Sequence, residues 1–571
     1  MKRMLFIAII LTIFTVCCAQ EINSFRHLST SGALDDDLEY VFSPLDLYYL
    51  NGTKLFSNLS NFDANDHIFM TNGGNYLLLG AASDKALFQK LKAAFLFKYY
   101  VNKFPLQIDC SPEPNIFTTS WGEVEYDWQS YYDTNNNGLY DRYRNITQKY
   151  KNLILDHGNE TFLTLAYELT PKKILGYKIG YLKSLQSETY ANSALLDFNY
   201  GAPTTDYYSR IMNLPDQDPT ATEYNYELTR EGDFNTEVSE HAIHNEFGYM
   251  QLGTKRELSC SYVFRYMKME NITDDQANRI EHNAIETTES ESAYLKSAQD
   301  GLYNELSGRA RFTLVPDQDR KKEGFVSFNL ALGILNLDAI DNDLYQYEDY
   351  APNSNHHTIL ENLRETGDIS GLDLNTSVKF GYPLNKNTFF GTGLYYHFHK
   401  HTQDGDFNYS YSSIDTLFNT SGAWNSIRKE TSISSGKTKH VNSVSSIRIP
   451  VGLEYWFSTN QKWAMRFGSV FTQVVDIMND SYRPTLIEPT LIEIYYPNQT
   501  NPYVMLADNS YLVESHSIKT NTSATDFSYG LCYKANNNLQ VELMSMFDQD
   551  NLDFWNTSFF RNLKLSFTIS F

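Results

Sequence analysis

The chain has 571 residues, with 46 Lys and Arg against 69 Asp and Glu, for a formal charge of −23. That acidity excludes nucleic acid as a partner, because phosphate backbones are bound through basic surface. Of the five cysteines, Cys17 and Cys18 lie close to the start, and Cys110, Cys260 and Cys532 are scattered, so no disulfide framework is indicated.

Taken in chain order, Lys2 and Arg3 precede an apolar run from Leu5 to Val16, and Cys17, Cys18 and Ala19 follow as small residues. This pattern predicts a secretory signal peptide over residues 1–19 with cleavage after Ala19. A lipoprotein modified at Cys17 or Cys18 is the alternative, although the residues before them form a poor lipobox. Residues 20–74 then read as an N-terminal segment, either a plug or a periplasmic tail, containing Val41 to Leu50 as its most apolar stretch.

From residue 75 to 571 the rhythm is short turn, amphipathic strand, long polar stretch. Six hairpins are predicted, with turns at Thr170–Lys173, Gly253–Glu257, Pro316–Gly324, Pro383–Asn387, Ser458–Gln461 and Asn536–Asn538. Long polar loops are expected over 184–244, 269–301, 336–371, 400–446 and 475–526. Upstream, Phe117–Tyr131 reads as a strand with Asn75–Ala82 and Leu91–Asn102 as its partners, although Ser83–Lys98 alternates poorly and reads partly as helix. The chain closes on Leu563, Leu565, Phe567, Ile569 and Phe571, apolar at every second position.

That last stretch resembles the C-terminal signal strand of Gram-negative outer-membrane β-barrels, in which a final Phe is read by the assembly machinery. The resemblance implies an all-β antiparallel transmembrane barrel of about 16 strands, with 14 as the alternative, in the cell outer membrane. It further implies short turns at the periplasm, long external loops, contact with outer-membrane lipid and lipopolysaccharide, and Phe571 as the handle for the barrel-assembly machinery. The supply of 42 Tyr and 36 Phe suits aromatic girdles at both interfaces.

If the apolar face meets lipid, the other face is a lumen. It is expected to carry Lys178, Arg265, Arg309, Arg311, Arg448 and Arg466 with Glu168, Glu305 and Glu454. Mixed charge on an inner wall either selects solutes in a pore or stiffens the wall by pairing. Glu123, Glu125 and Asp127 form a further acidic strip.

Two clusters could hold metal. Asp133, Asn135, Asn137, Leu139 and Asp141, with Gly138 at the sixth position, follow the first part of a calcium loop; Arg144 stands where a bidentate Glu is needed. His397, His399 and His401 alternate on one strand face, with His356 and His357 as further donors. No cofactor is required by the sequence beyond this possible calcium. No nucleophile, phosphate-loop or metallohydrolase motif occurs, so enzyme activity is not expected. The expected function is a porin-like channel for small polar or charged solutes. The alternatives are a transporter of hydrophobic compounds similar in class to fatty-acid transporters, and a surface or assembly protein using its loops.

Overall fold

The structure is a computed structural model. It describes residues 24–60, 75–85, 90–104, 122–132, 142–190, 204–209, 226–282, 286–317, 319–350, 355–418, 423–457, 461–508, 515–536, 538–547 and 564–571. The segment read as a signal peptide lies outside these residues.

The chain enters through two short helices, α1 (Phe25–Ser29) and α2 (Asp37–Phe42), and a 3-10 turn at Asp46–Tyr49. The first strands are β1 (Thr53–Ser60), β2 (Asn75–Ser83), β3 (Leu91–Phe104), β4 (Gly122–Tyr132), β5 (Arg142–Thr170), β6 (Lys173–Tyr190) and β7 (Thr204–Ser209). Next come the long strands β8 (Tyr226–Leu252), β9 (Arg256–His282), β10 (Glu286–Val315), β11 (Gly324–Tyr350), β12 (His356–Asn385), β13 (Thr388–Phe418), β14 (Trp424–Trp456) and β15 (Trp463–Ile487). The set ends with β16 (Thr490–Tyr495), β17 (Tyr503–Ala507), β18 (His516–Lys534), β19 (Leu539–Phe547) and β20 (Lys564–Ser570).

All twenty strands belong to one antiparallel sheet. It closes on itself, because β1 pairs with β2 on one side and with β20 on the other. The result is a ring of about 16–18 strands. Closure pairs the ring strands on both sides, which is the condition for strands to stand in lipid. Among the described residues no helix is long and apolar enough to cross a membrane.

The apolar belt follows the alternation. On β6, Leu175, Ile179 and Tyr181 face outward and are exposed; on β11, Phe328, Leu330, Leu332 and Ile334 do the same. Such rows recur on β14, from Ile447 through Ile449, Val451 and Leu453 to Tyr455, and on β15 at Trp463, Met465 and Phe467. A closed barrel with an apolar outer belt and charged inner face is the architecture of outer-membrane barrels.

Three expectations change. First, the stretches read as long polar loops are mostly wall: β10 and β12 each run for 30 residues and β14 for 33. At about 3.4 Å per residue such strands are on the order of 100 Å long, against an apolar band of roughly 25 Å. The barrel therefore rises far above its belt. Polar residues mislead there because the outer face of the extension meets water. Second, β1 lies inside the segment read as N-terminal, yet it is a wall strand. Third, β4, read as a wall strand, pairs among the described residues with the upper part of β5 alone, while β3 takes the lower part of β5. Within the stretch Ser83–Lys98, Ser83 closes β2 and Leu91–Lys98 belongs to β3, while residues 86–89 lie outside the described residues.

Candidate functional site

The strand ends that flank the six predicted turns all lie at one end of the ring, where Phe571 donates its backbone N–H to the Thr53 carbonyl. At this end residues 24–50 sit inside the barrel as a plug. Ser24 caps α1 by accepting from the His27 N–H at 3.1 Å. Ser31 and Gly32 then take left-handed φ values of 52° and 90°, turning the chain sharply into Ala33. Asp36 caps α2, and Glu39 returns the bond by accepting from the Asp36 N–H at 2.7 Å. This reciprocal box satisfies helix-end donors that burial would otherwise orphan. Pro44 follows the C-cap Ser43, where it cannot extend the helix.

One side of the plug is apolar. Leu38, Val41, Leu45, Leu47 and Leu50 are buried in one cluster with wall residues including Phe56, Leu96, Phe162, Ile174 and Met250. The other side is ionic. Arg26 donates from Nε and Nη2 to both oxygens of Glu454 on β14, each at 3.0 Å, and Arg466 on β15 reaches the same carboxylate at 2.8 Å. Arg466 also pairs with Glu542 on β19. Arg309 on β10 forms a two-pronged pair with Asp46, both bonds at 2.6 Å. Lys379 on β12 meets Asp35 at 2.5 Å, and Lys321, in the turn before β11, meets Asp36 at 3.0 Å and Asp37 at 3.1 Å.

A collar of glycines lets the plug come this close. A Cβ on Gly452 would lie 2.6 Å from Thr30 Cβ, one on Gly176 would lie 2.8 Å from the Pro44 carbonyl carbon, and one on Gly248 would lie 2.7 Å from Leu45 Cγ. Gly391, Gly468 and Gly530 meet Ala33, Thr30 and Ser29 in the same way. Each of the six is on a different strand: β6, β8, β13, β14, β15 and β18. Beside the plug, a cavity of about 280 Å³ is bounded by His27, Asp35 and Asp46 on one side and Arg309, Arg311 and Lys379 on the other.

The residues expected to line a lumen are therefore divided. Arg309, Arg466 and Glu454 hold the plug or its partners, and Arg448 donates to the Ser31 carbonyl at 3.4 Å. Arg311 pairs with Glu323 at 3.0 Å and lies over the Phe325 ring at 3.6 Å. Lys178 pairs with Glu246 at 2.8 Å and lies over the plug's Phe42 ring at 4.1 Å. Higher up, Glu305 accepts from the Tyr303 hydroxyl at 2.8 Å, and Arg265 lies 5.7 Å from the same ring. Glu168 stands half-buried at the foot of β5.

The calcium-type loop Asp133–Asp141 lies outside the described residues, as do the side chains of Glu123, Glu125 and Asp127. His397 and His399 are described and share the inner face of β13. His356 and His357 do not join them: they stand at the far end of β12, beside Glu348 and Asp415. Sequence reasoning missed Arg26, Asp35, Asp36 and Asp46 as functional residues. The available signal was the small-residue run Ser29–Ala33, followed after Leu34 by Asp35, Asp36 and Asp37.

No family model and no curated protein matches the chain. Among solved structures, the ferric enterobactin receptor of Pseudomonas aeruginosa (a mutant form) is similar at 8% identity and a TM-score of 0.27, over 91% of this chain and 80% of the receptor. The outer membrane transporter YddB of Escherichia coli is similar at 7% identity and a TM-score of 0.27, over 91% and 81%. The siderophore receptor PirA of Acinetobacter baumannii is similar at 10% identity and a TM-score of 0.23, over 91% and 80%. Likeness at this level identifies no relative. The outer-membrane barrel architecture stands on the closed pairing and the apolar belt.

Proposed function

We propose that the chain is an outer-membrane transporter in which residues 24–50 close the periplasmic end of the barrel. The pairing followed at the short-turn end, through β1, β2, β3, β5, β6, β8 to β15, β18, β19 and β20, supports a count of sixteen, with β4, β7, β16 and β17 as additions above. The observation that carries the reading is the docked plug, apolar on one side, ion-paired on the other and seated on glycines. A solute passes only when this plug rearranges. This differs from a standing-open porin, although the solutes are of the class expected there: small and polar or charged. The mixed charge of the cavity between Asp35, Asp46, Arg309, Arg311 and Lys379 supports that class. Its volume is near the lower end of the roughly 300–1,000 Å³ of ligand pockets.

The second reading, a carrier of hydrophobic compounds, is favoured by an apolar row on the inner wall above the plug, at Leu335, Leu337, Ala339 and Ile369. Planar-bilayer recording separates the possibilities. The native protein should show little steady conductance, and deletion of residues 24–50 should give a large, charge-selective one. Steady porin-like conductance in the native protein, unchanged by the deletion, overturns the plug-gated reading. A deleted barrel that stays silent to ions but takes up an acyl-chain probe into liposomes favours the hydrophobic carrier.

A further inference from the structure

Strands β12 and β13 run side by side with Asp373 opposite His399, Asn375 opposite His397 and Gly371 opposite His401. Leu372 and Leu394 are exposed on the outer face, so the alternate positions Asp373, His397, His399 and His401 share the inner one. One ligand atom from each of Asp373, His397 and His399 falls within 4.8 Å of the other two. The His397 and His399 rings are 5.3 Å apart and those of His399 and His401 are 4.9 Å apart. His401 Nε2 lies 3.6 Å from Asp373 Oδ1.

Two observations mark this as more than a row of aromatic side chains. His399 is only 2% exposed, and its Nε2 has no hydrogen-bond partner; His401 Nε2 is likewise buried without one. Buried polar atoms are almost always paired, and an exception calls for an explanation. Gly371 also leaves room for the third imidazole, since a Cβ there would lie 2.5 Å from His401 Cδ2. Three imidazoles and one carboxylate on a single inner face supply lone pairs and no fixed positive charge. That donor set suits zinc and its neighbours in the first transition row.

We infer that Asp373, His397 and His399 bind a first-row transition-metal cation inside the barrel, with His401 as the fourth donor. Metal–ligand bonds of about 2.0–2.2 Å need ligand atoms closer than they stand here, and rotation about the side-chain torsions brings them together. The site sits where the outer face of β13 changes from Phe398 to Lys400, at the upper rim of the apolar belt and above the plug. It uses none of the plug contacts, so it holds whether or not the plug moves.

The test uses the untagged full-length protein in detergent, stripped with EDTA. Zn²⁺ is titrated calorimetrically, and one equivalent of Cu²⁺ is read by electron paramagnetic resonance. One ion per chain, with nitrogen hyperfine structure from at least two imidazoles, is expected. His399→Gln and Asp373→Asn should each weaken Zn²⁺ binding at least as much as the roughly 10–100-fold that loss of an outer-shell partner costs. Both should keep the heat-modifiable gel mobility of a folded barrel. If His399→Gln fails to fold, His397→Gln is read in the same way. Absence of stoichiometric uptake, a copper spectrum without nitrogen ligands, or binding unchanged in a folded variant overturns the site. Weak, unsaturable binding that survives substitution assigns the ions to surface histidines and counts against it equally.

Discussion

The short-turn half of the barrel and the half above it share one strand register but reverse their faces. On β11, Phe328, Leu330, Leu332 and Ile334 point outward and are exposed, while Ser327 and Asn329 point inward. A few residues further, Asn336 and Asp338 are the outward residues and Leu335, Leu337 and Ala339 the buried inward ones. No bulge separates the two stretches, because pairing with β12 is continuous from Phe325 to Asp349. The strand keeps its phase and the surroundings change: lipid below, water above. The interiors differ as well. Below, the inner wall meets a plug through ion pairs and glycines; above, it packs against itself in small apolar patches and polar ladders such as His440 between Glu365 and Asp480, at 2.7 Å and 2.8 Å.

The largest effect should come from breaking the charge arrangement of the lower half. Glu454→Gln leaves Arg26 and Arg466 buried without their shared carboxylate. Removal of one partner from such a pair costs roughly 3–5 kcal/mol. Urea unfolding in micelles should show that loss, with residues 24–50 becoming exchange-exposed first. A loss below about 1 kcal/mol, the range of exposed pairs, would mean that the plug is not held there.

The contrast of outer faces is sharpened by two substitutions on one face of one strand. Leu330→Arg should cost about 2–4 kcal/mol in lipid, the penalty for a cation near mid-membrane. Asp338→Leu, eight positions along the same face, should change stability by no more than about 0.5 kcal/mol. Equal effects at both sites would place the belt boundary elsewhere.

Gly452→Leu tests the collar. The added side chain would overlap Thr30 and Ala33, and overpacking of this kind costs about 1–3 kcal/mol. The barrel should keep its folded gel mobility while the plug becomes open to protease and conductance rises. Unchanged protection of the plug would show that it seats without the collar.

The smallest effect is one of pH. Burial pushes the Glu39 carboxyl up to about 7; nearby His27 opposes the shift and Asp35 adds to it. Its folded value lies above its unfolded one, so its contribution to docking is fully present below the unfolded pKa and fades as pH rises through about 7. Hydrogen exchange of α2 should therefore speed up between pH 6 and pH 8 by more than the intrinsic rate does. Glu39→Gln should remove that excess; an identical excess in the variant would assign it to another group.

Much of the lower half was legible in the sequence. Period-two alternation, with Leu175, Tyr177, Ile179 and Tyr181 on one side and Gly176, Lys178 and Gly180 on the other, reports which residues meet lipid, because the face is set by local geometry alone. The six short turns were legible for the same reason: Pro, Gly and Asn act within four residues. The extension was not, since a strand with water outside and sparse apolar residues inside has the composition of a loop. The partners of Arg309, Arg466 and Glu454 were also beyond reach: Asp46 and Arg309 are separated by 263 residues, and Arg26 and Glu454 by 428.

By itself, then, the sequence determined an all-β barrel, the lipid-facing side of each belt strand and the end at which the short turns gather, all of which follow from spacing along the chain. Tertiary structure alone decided that β1 enters the ring while β4 stays outside it. It also decided that residues 24–50 lie inside rather than beside the barrel, and that Asp373 on one strand meets His397 and His399 on the next. Closure is the physical reason: curling the sheet into a ring brings remote strands to a common interior, and no local pattern records which side chains will meet there.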